Sequence, residues 1–124
     1  MADRPEELEL VDRYLGAARY AHEYAFRVHR RLVELDADGD HTRKLLAESA
    51  AITLQQMPAL VRGWRTLERE WSEQELLDPP KAEHTARVLE VRFTDLGPEI
   101  EALRVRQDKI VTELNDLLGD AKRA

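Results

Sequence analysis

The residues best suited to chemistry in this 124-residue chain are two histidines, His22 and His29. They are seven residues apart, so an α-helix places both side chains on one edge, toward the interior of a helical bundle. Imidazoles in such positions bind metal ions, haem or small ligands. The residues three before them are Arg19 and Phe26, which excludes the Glu-x-x-His pattern of di-iron bundles. We therefore expect hydrogen-bonded histidines, with a ligand or metal site at His22 and His29 as the alternative.

Other catalytic and metal-binding patterns are missing from the sequence. There is no cysteine, which excludes disulfides, thiolate metal sites and cysteine nucleophiles. The acids around Gly39 resemble the first half of a calcium-binding loop, but Leu45 stands where that loop needs a bidentate glutamate. Glycine-rich phosphate loops and nucleophile elbows are also absent. We predict no catalytic residue, no metal and no cofactor, and an enzyme is the least favoured class.

A cluster of tryptophan and arginine lies in the middle of the chain. Trp64 and Trp71 are seven residues apart, with Arg62, Arg65 and Arg69 around them. Tryptophan and arginine are enriched at binding hot spots. The same spacing also suits two core tryptophans with the arginines solvated outside. The sequence leaves both interpretations open, a pair of core residues or at least one tryptophan in a partner interface.

Three long helices are predicted to position these residues. Apolar residues recur at alternating spacings of three and four, the pattern of helices that pack along a heptad seam. The first seam is Leu8, Val11, Leu15, Ala18, His22, Ala25, His29 and Leu32, and the second is Leu46, Ala50, Thr53, Met57, Leu60, Trp64, Leu67 and Trp71. The third is Ala82, Ala86, Leu89, Phe93, Leu96, Ile100, Leu103, Gln107, Ile110, Leu114, Leu117 and Ala121.

Two prolines lie inside these seams without changing their spacing. Pro58 falls in the second seam and Pro98 in the third. A proline inside a helix costs about 3 kcal/mol and usually kinks it. We predict that both helices bend at proline and continue. Between the first two helices, Gly39 is expected to supply a left-handed turn and Asp40 to cap the second helix, while Asp3 is a candidate cap for the first.

The predicted fold is all-α, an antiparallel bundle of three long helices over about 5–35, 41–72 and 81–120, in one domain over 1–124. The third helix is the longest, at about 60 Å against about 45 Å for each of the others. Its last turns, near Leu114, Leu117 and Leu118, are therefore expected to project beyond the bundle. An uncovered apolar stripe is a liability or an interface. We predict a homo-oligomer, most simply an antiparallel dimer.

Charge and hydropathy narrow the class of partner. The net charge of −6 comes from 25 acids and 19 bases with no basic segment, so nucleic acid is not an expected partner. No apolar stretch reaches the roughly 18 residues of a membrane span, and residues 1–7 hold no apolar signal core, so a cytoplasmic protein without membrane contact is expected.

The sequence favours a non-enzymatic protein–protein interaction module with coiled-coil character, an adaptor, chaperone-like or assembly subunit. Its protein partner is a second copy, another chain or both. The alternative is a metal-, haem- or small-ligand-binding bundle that uses His22 and His29. The predicted partner-binding residues are Arg62, Trp64, Arg65, Arg69, Trp71, Leu114, Leu117 and Leu118.

Overall fold

A computed structural model of the chain describes residues 4–124, of which 92% are helical and none is in a strand. Asp3, the candidate cap, lies outside this range. The elements are α1 (Glu6–Glu34), α2 (Asp40–Ala51), a π-helix (Ile52–Gln56), α3 (Met57–Leu60), α4 (Arg62–Leu77) and α5 (Pro79–Arg123). The four longest helices, α1, α2, α4 and α5, pack together. The predicted all-α class is confirmed.

Hydrogen bonds between helices show the directions in which the helices run. As residue numbers rise along α1, their hydrogen-bond partners in α2 and α4 have falling numbers, and the same holds for α5 against α2 and α4. The bonds are His22–Ser49 and Asp12–Arg65 for α1 against α2 and α4, and Glu48–Arg106 and Gln74–Thr85 for α2 and α4 against α5. The segment from α2 to α4 is therefore antiparallel to both α1 and α5, and α1 is parallel to α5.

The predicted seams form the contact surfaces between the helices. Every seam position is buried or half-buried, and the fully buried apolar side chains form one continuous core. Full burial of one aliphatic side chain is worth about 1.5–3 kcal/mol. Because the chain has no disulfide, this packing is the main source of stability.

The second helical segment is interrupted where the sequence predicts one helix over 41–72. In α2 the buried residues are Thr42, Leu45 and Ser49, and the last two lie one position earlier than the predicted Leu46 and Ala50, which are half-buried. After the π-helix the predicted phase is regained, with Met57 completely buried. A π-helix uses i→i+5 hydrogen bonds and so accommodates one additional residue per turn. The expectation of an unbroken phase through this segment is therefore wrong, and the shift of one residue occurs before Pro58.

Pro58 explains why the interruption lies here. A proline has no N–H to donate to the carbonyl four residues earlier, which for Pro58 belongs to Leu54. Just before the proline, the Met57 N–H donates to the carbonyl of Ile52, five residues back. A second irregularity follows at Val61, which separates α3 from α4 with ψ near 5°.

Helix α5 continues through Pro98, as the unbroken third seam predicts. The preceding residue, Gly97, is buried against the ring of Phe93. A Cβ at position 97 would lie 3.2 Å from that ring, so glycine permits the close contact. The ring of Phe93 in turn packs beside Trp64, with 6.1 Å between ring centroids.

The turn between α1 and α2 differs from its prediction. Gly39 is extended, with φ of −164°, and the left-handed residue is Asp36, with φ of 55°. Aspartate tolerates this conformation better than most residues. The start of α2 is closed by Thr42, whose hydroxyl accepts a hydrogen bond from the Gly39 N–H at 2.8 Å. Asp40 is the first residue of α2 and not its cap.

Candidate functional site

The antiparallel pair formed by α4 and α5 extends past the start of α1. Asp12 of α1 lies opposite Arg65 of the antiparallel α4, so the first residue of α1, Glu6, is about level with Trp71. From Trp71 to the last residue of α4, Leu77, the helix continues for about 9 Å. We call residues 69–91 the hairpin end; it comprises the last turns of α4, Asp78 and the first turns of α5. Gln74 and Thr85 are hydrogen-bonded across it.

The surface of the hairpin end carries large apolar side chains. Leu76 and Leu77 are each 85% exposed, and Val91 is 69% exposed. Its internal seam is closed, because Trp71, Ala82 and Leu89 are buried. The exposed residues are therefore additional to the packing that holds the two helices together. Sequence reasoning missed them, although Leu76 and Leu77 come after the last seam residue and out of its phase, which was a usable signal.

A cleft lies between α4 and α5 at the other end of this pair, close to the break at Val61. It has a volume of about 190 Å³ and is lined by Leu60, Gly63, Trp64, Leu67, Arg92, Asp95, Leu96 and Glu99. Small-molecule pockets are usually about 300–1,000 Å³. The cleft is therefore of a size for one or two side chains.

The predicted tryptophan–arginine cluster is divided between core and surface. Trp64 and Trp71 are 4% and 5% exposed, so both belong to the core of this chain. The indole Nε1 of Trp64 is buried and has no hydrogen-bond partner among residues 4–124. Arg62 and Arg69 are exposed on α4. The tryptophans are therefore unavailable to a partner except through the part of Trp64 that lines the cleft.

Arg65 connects α4 to α1. Its guanidinium donates to Asp12 at 2.9 Å and to Glu68 at 2.8 Å. Partial burial acts to raise the pKa of the Asp12 carboxyl, but the hydrogen bonds from Arg65 and Arg4 together hold that pKa below its ordinary value of 3.8. Arg65 is therefore an internal brace of the fold.

This brace makes stability depend on pH in the acid range. The pKa of Asp12 is lower in the folded state than in the unfolded state. The carboxylate therefore stabilises the fold fully at any pH above the ordinary pKa, and this contribution disappears as the pH falls through the lower, folded-state pKa. We expect Asp12→Asn to lower the free energy of unfolding by about 0.5–1 kcal/mol at pH 7, the range of a partly exposed ion pair.

Urea unfolding across pH 2–7 measures this effect. The gap between Asp12→Asn and the parent chain should close at the acid end. Asp116→Asn removes a charge that forms no ion pair within residues 4–124 and serves as the control. A gap that stays constant down to pH 2 would contradict the assignment to Asp12.

The C-terminal leucines lie inside the fold, contrary to the expectation that they project. Tyr24 in α1 donates to Asn115 in α5 at 3.2 Å, so the last turns of both helices lie side by side. Leu114 is completely buried, and Leu117 and Leu118 are half-buried against the core. The length argument failed because α1 and α5 end at the same level. The surplus of α5 is at its N-terminal end, in the hairpin end.

His22 belongs to a layer of polar side chains in the core. Its Nδ1 lies 3.0 Å from the hydroxyl of Ser49. The Gln107 Nε2 donates to Ser49 Oγ at 3.1 Å and to Thr53 Oγ1 at 2.8 Å, and Thr53 donates to the carbonyl of Ala18 at 3.3 Å. The serine–histidine pair resembles an activated nucleophile, but Ser49 is completely buried. The layer is therefore structural, and no substrate reaches it.

His29 does not share ligands with His22. Its Nε2 is buried without a hydrogen-bond partner in the described part of the chain. Among residues 4–124, no three side chains of His, Cys, Asp or Glu are grouped so that they could hold a metal ion. The two histidines therefore lie on α1 as predicted, but they have different surroundings: His22 contacts Ser49, and the Nε2 of His29 has no partner in the described range.

Comparisons with known proteins do not assign this chain to a family. No protein-family model, curated protein or solved structure matches this chain. Within the described range, none of the helices combines the length and the apolar character that crossing a membrane requires.

Proposed function

We propose that this protein is a non-enzymatic protein–protein interaction module, an adaptor, chaperone-like or assembly subunit, and that the hairpin end is its docking surface. The observation that carries this proposal is the exposure of Leu76 and Leu77 at the end of the α4–α5 pair, beyond the start of α1, together with the exposure of Val91 on α5. Exposed apolar groups on an element whose own seam is closed are available to another chain. Two helices packed against each other present them with little loss of conformational freedom on binding.

The charged residues of the hairpin end support the same function. Arg69 and Arg87 are exposed and form no ion pair within residues 4–124. Arginine beside apolar side chains is typical of binding surfaces. Of the residues that the sequence predicted for a partner, Arg69 lies on this surface, Arg62 lies at the opposite end of α4, and Trp64, Trp71 and Leu114 contribute to the core.

The architecture in this proposal is a single domain over the whole chain. The segment from α2 to α4 acts as one interrupted middle helix between α1 and α5, so the fold works as an antiparallel bundle of three helical segments. Bends at Pro58 and Pro98 and completion by an oligomer are part of the proposal. Cytoplasmic localisation and the absence of nucleic-acid and membrane partners stay predictions.

Photo-crosslinking in the native host tests the docking surface. A photoreactive phenylalanine analogue replaces Val91 in one variant and Tyr20 of α1 in another, two positions that are 69% and 66% exposed. We expect discrete protein adducts from position 91, at about tenfold the yield from position 20. Equal yields, or no adduct from position 91, would contradict the proposal.

The alternative hypothesis is a metal-, haem- or small-ligand-binding bundle that uses His22 and His29. It stays a prediction, and the contacts of the two histidines do not favour it.

A further inference from the structure

We infer that the partner of the hairpin end is a second copy of this chain, bound so that Leu77 of each copy enters the α4–α5 cleft of the other. This inference rests on the proposed function and specifies the partner. Three features of the α4–α5 pair support it: a shared face, complementary charge and a closed two-fold arrangement.

Leu77 and the cleft lie on the same face of α4. Leu77 is fourteen residues after Gly63, close to four helical turns, so the two positions point in nearly the same direction. Leu67, which also lines the cleft, is between them in sequence and about 40° around the helix from Gly63. Leu76 is thirteen residues after Gly63 and about 140° around the helix from it. Two adjacent leucines of equal exposure therefore differ in the face that they occupy.

Charge along this face of α5 is complementary from one end to the other. Lys81, at the hairpin end, is fourteen residues before Asp95 and eighteen before Glu99, so all three share one face. Asp95 and Glu99 line the cleft and form no ion pair within residues 4–124, and Arg92 lines it on the same face, so the cleft carries two carboxylates and one guanidinium. Lys81 lies 4.0 Å from Asp78 at the exposed hairpin end, an ion pair that it exchanges for the cleft carboxylates on docking. A copy placed antiparallel to the first brings its Lys81 to these carboxylates and its Leu77 to the apolar part of the cleft.

This arrangement closes on itself. Leu77 lies about 20 Å along the helix axis from Gly63, and a two-fold axis halfway between them exchanges the end of one copy with the cleft of the other. The same contact then forms twice and leaves neither cleft free, so the assembly stops at a dimer.

The size of the face sets the strength of the dimer. Two helices of about 10 Å diameter over about 20 Å offer about 400 Å² per copy, or about 800 Å² in total. Stable interfaces bury about 1,200–2,000 Å². We therefore expect a dissociation constant in the micromolar range and a monomer–dimer equilibrium that dilution shifts.

Sedimentation velocity of the purified full chain, from low to high micromolar concentration, tests the inference with two matched pairs of variants. Leu77→Asp should raise the dissociation constant at least about tenfold, whereas Leu54→Asp, at a leucine that is 67% exposed and lies outside both the hairpin end and the cleft, should change it by less than about twofold. Equal effects of the two aspartates would overturn the inference.

The second pair separates docking from folding. A Cβ at Gly63 or Gly16 meets no atom within 4 Å, and both glycines are exposed in helices, so each accepts leucine with a gain in helix propensity. Gly63→Leu fills the cleft and should weaken the dimer at least about tenfold while its melting temperature does not fall. Gly16→Leu should leave the dimer unchanged. A dimer that survives Gly63→Leu would overturn the inference.

Sedimentation velocity and photo-crosslinking together distinguish this inference from the proposed function. A parent chain that is monomeric at every concentration overturns the self-docking arrangement. If the chain is monomeric but position 91 crosslinks to a different protein in the native host, the interaction function stands with another partner. If the chain is monomeric and position 91 forms no adduct, both proposals fail.

Discussion

Replacing Leu114 by alanine is expected to lower the free energy of unfolding by about 3 kcal/mol. Leu114 is completely buried in the core between the last turns of α5 and its neighbours. Removal of a buried leucine side chain loses its transfer free energy and leaves a cavity that surrounding helices only partly fill. Because a helical domain of this size has about 5–15 kcal/mol in total, the loss is a large fraction of its stability.

Equilibrium denaturation by urea, at a concentration where the chain is monomeric, measures this loss. Val105→Ala, on the same helix at a residue that is 42% exposed, is the control and should cost less than about 1 kcal/mol. A Leu114→Ala chain with normal stability and impaired association would instead show that the sequence-based assignment of Leu114 to a partner interface was right.

The second large effect concerns Gln107, whose side chain is completely buried and whose Oε1 has no hydrogen-bond partner among residues 4–124. Gln107→Glu keeps the shape of the side chain and introduces a carboxyl group in the core. We expect it to lower the free energy of unfolding at pH 7 by about 3 kcal/mol or more, because a buried charge without a cationic partner is costly. Burial favours the neutral carboxyl, so its pKa in the folded state should rise above the ordinary value of about 4.3.

The pH dependence identifies the cause. Below about pH 4 the introduced carboxyl is protonated in both states and the penalty is absent; it grows as the pH rises toward the folded-state pKa. Gln107→Leu is the uncharged control: it removes the hydrogen bonds donated to Ser49 and Thr53, so it should cost about 1–3 kcal/mol, and this loss should not vary with pH. Equal losses for both variants, independent of pH, would show that the lost amide donor and not the introduced charge matters at this position.

Much of the fold was predictable from spacing alone, because heptad seams reflect which residues must be buried. Even the continuity of α5 through Pro98 could be inferred from the unbroken third seam. The π-helix could not, since a shift of one residue between Ser49 and Met57 leaves plausible apolar residues on both phases, and only the packing against α5 selects between them.

The site was less predictable, for a physical reason. Sequence spacing shows that Trp64 and Trp71 share a helix face, but not whether a helix of the same chain covers that face. The sequence predicted that the extra length of α5 lies near Leu114, whereas it lies at the N-terminal end of α5. Helix lengths alone do not show which ends of α1 and α5 are aligned. Leu77 carries no pattern of its own until the fold shows that α1 stops short of it.

The buried amide of Gln107 has a consequence for the remote end of the molecule. It bonds to Ser49 and Thr53, which lie on either side of the start of the π-helix. A slide of α5 by one turn, about 5.4 Å, would replace Gln107 with a neighbour of different chemistry and strand both hydroxyls. The amide therefore fixes the axial position of α5 in the bundle. That position determines how many residues of α4 and α5 extend past α1, and so how much surface is available to another chain.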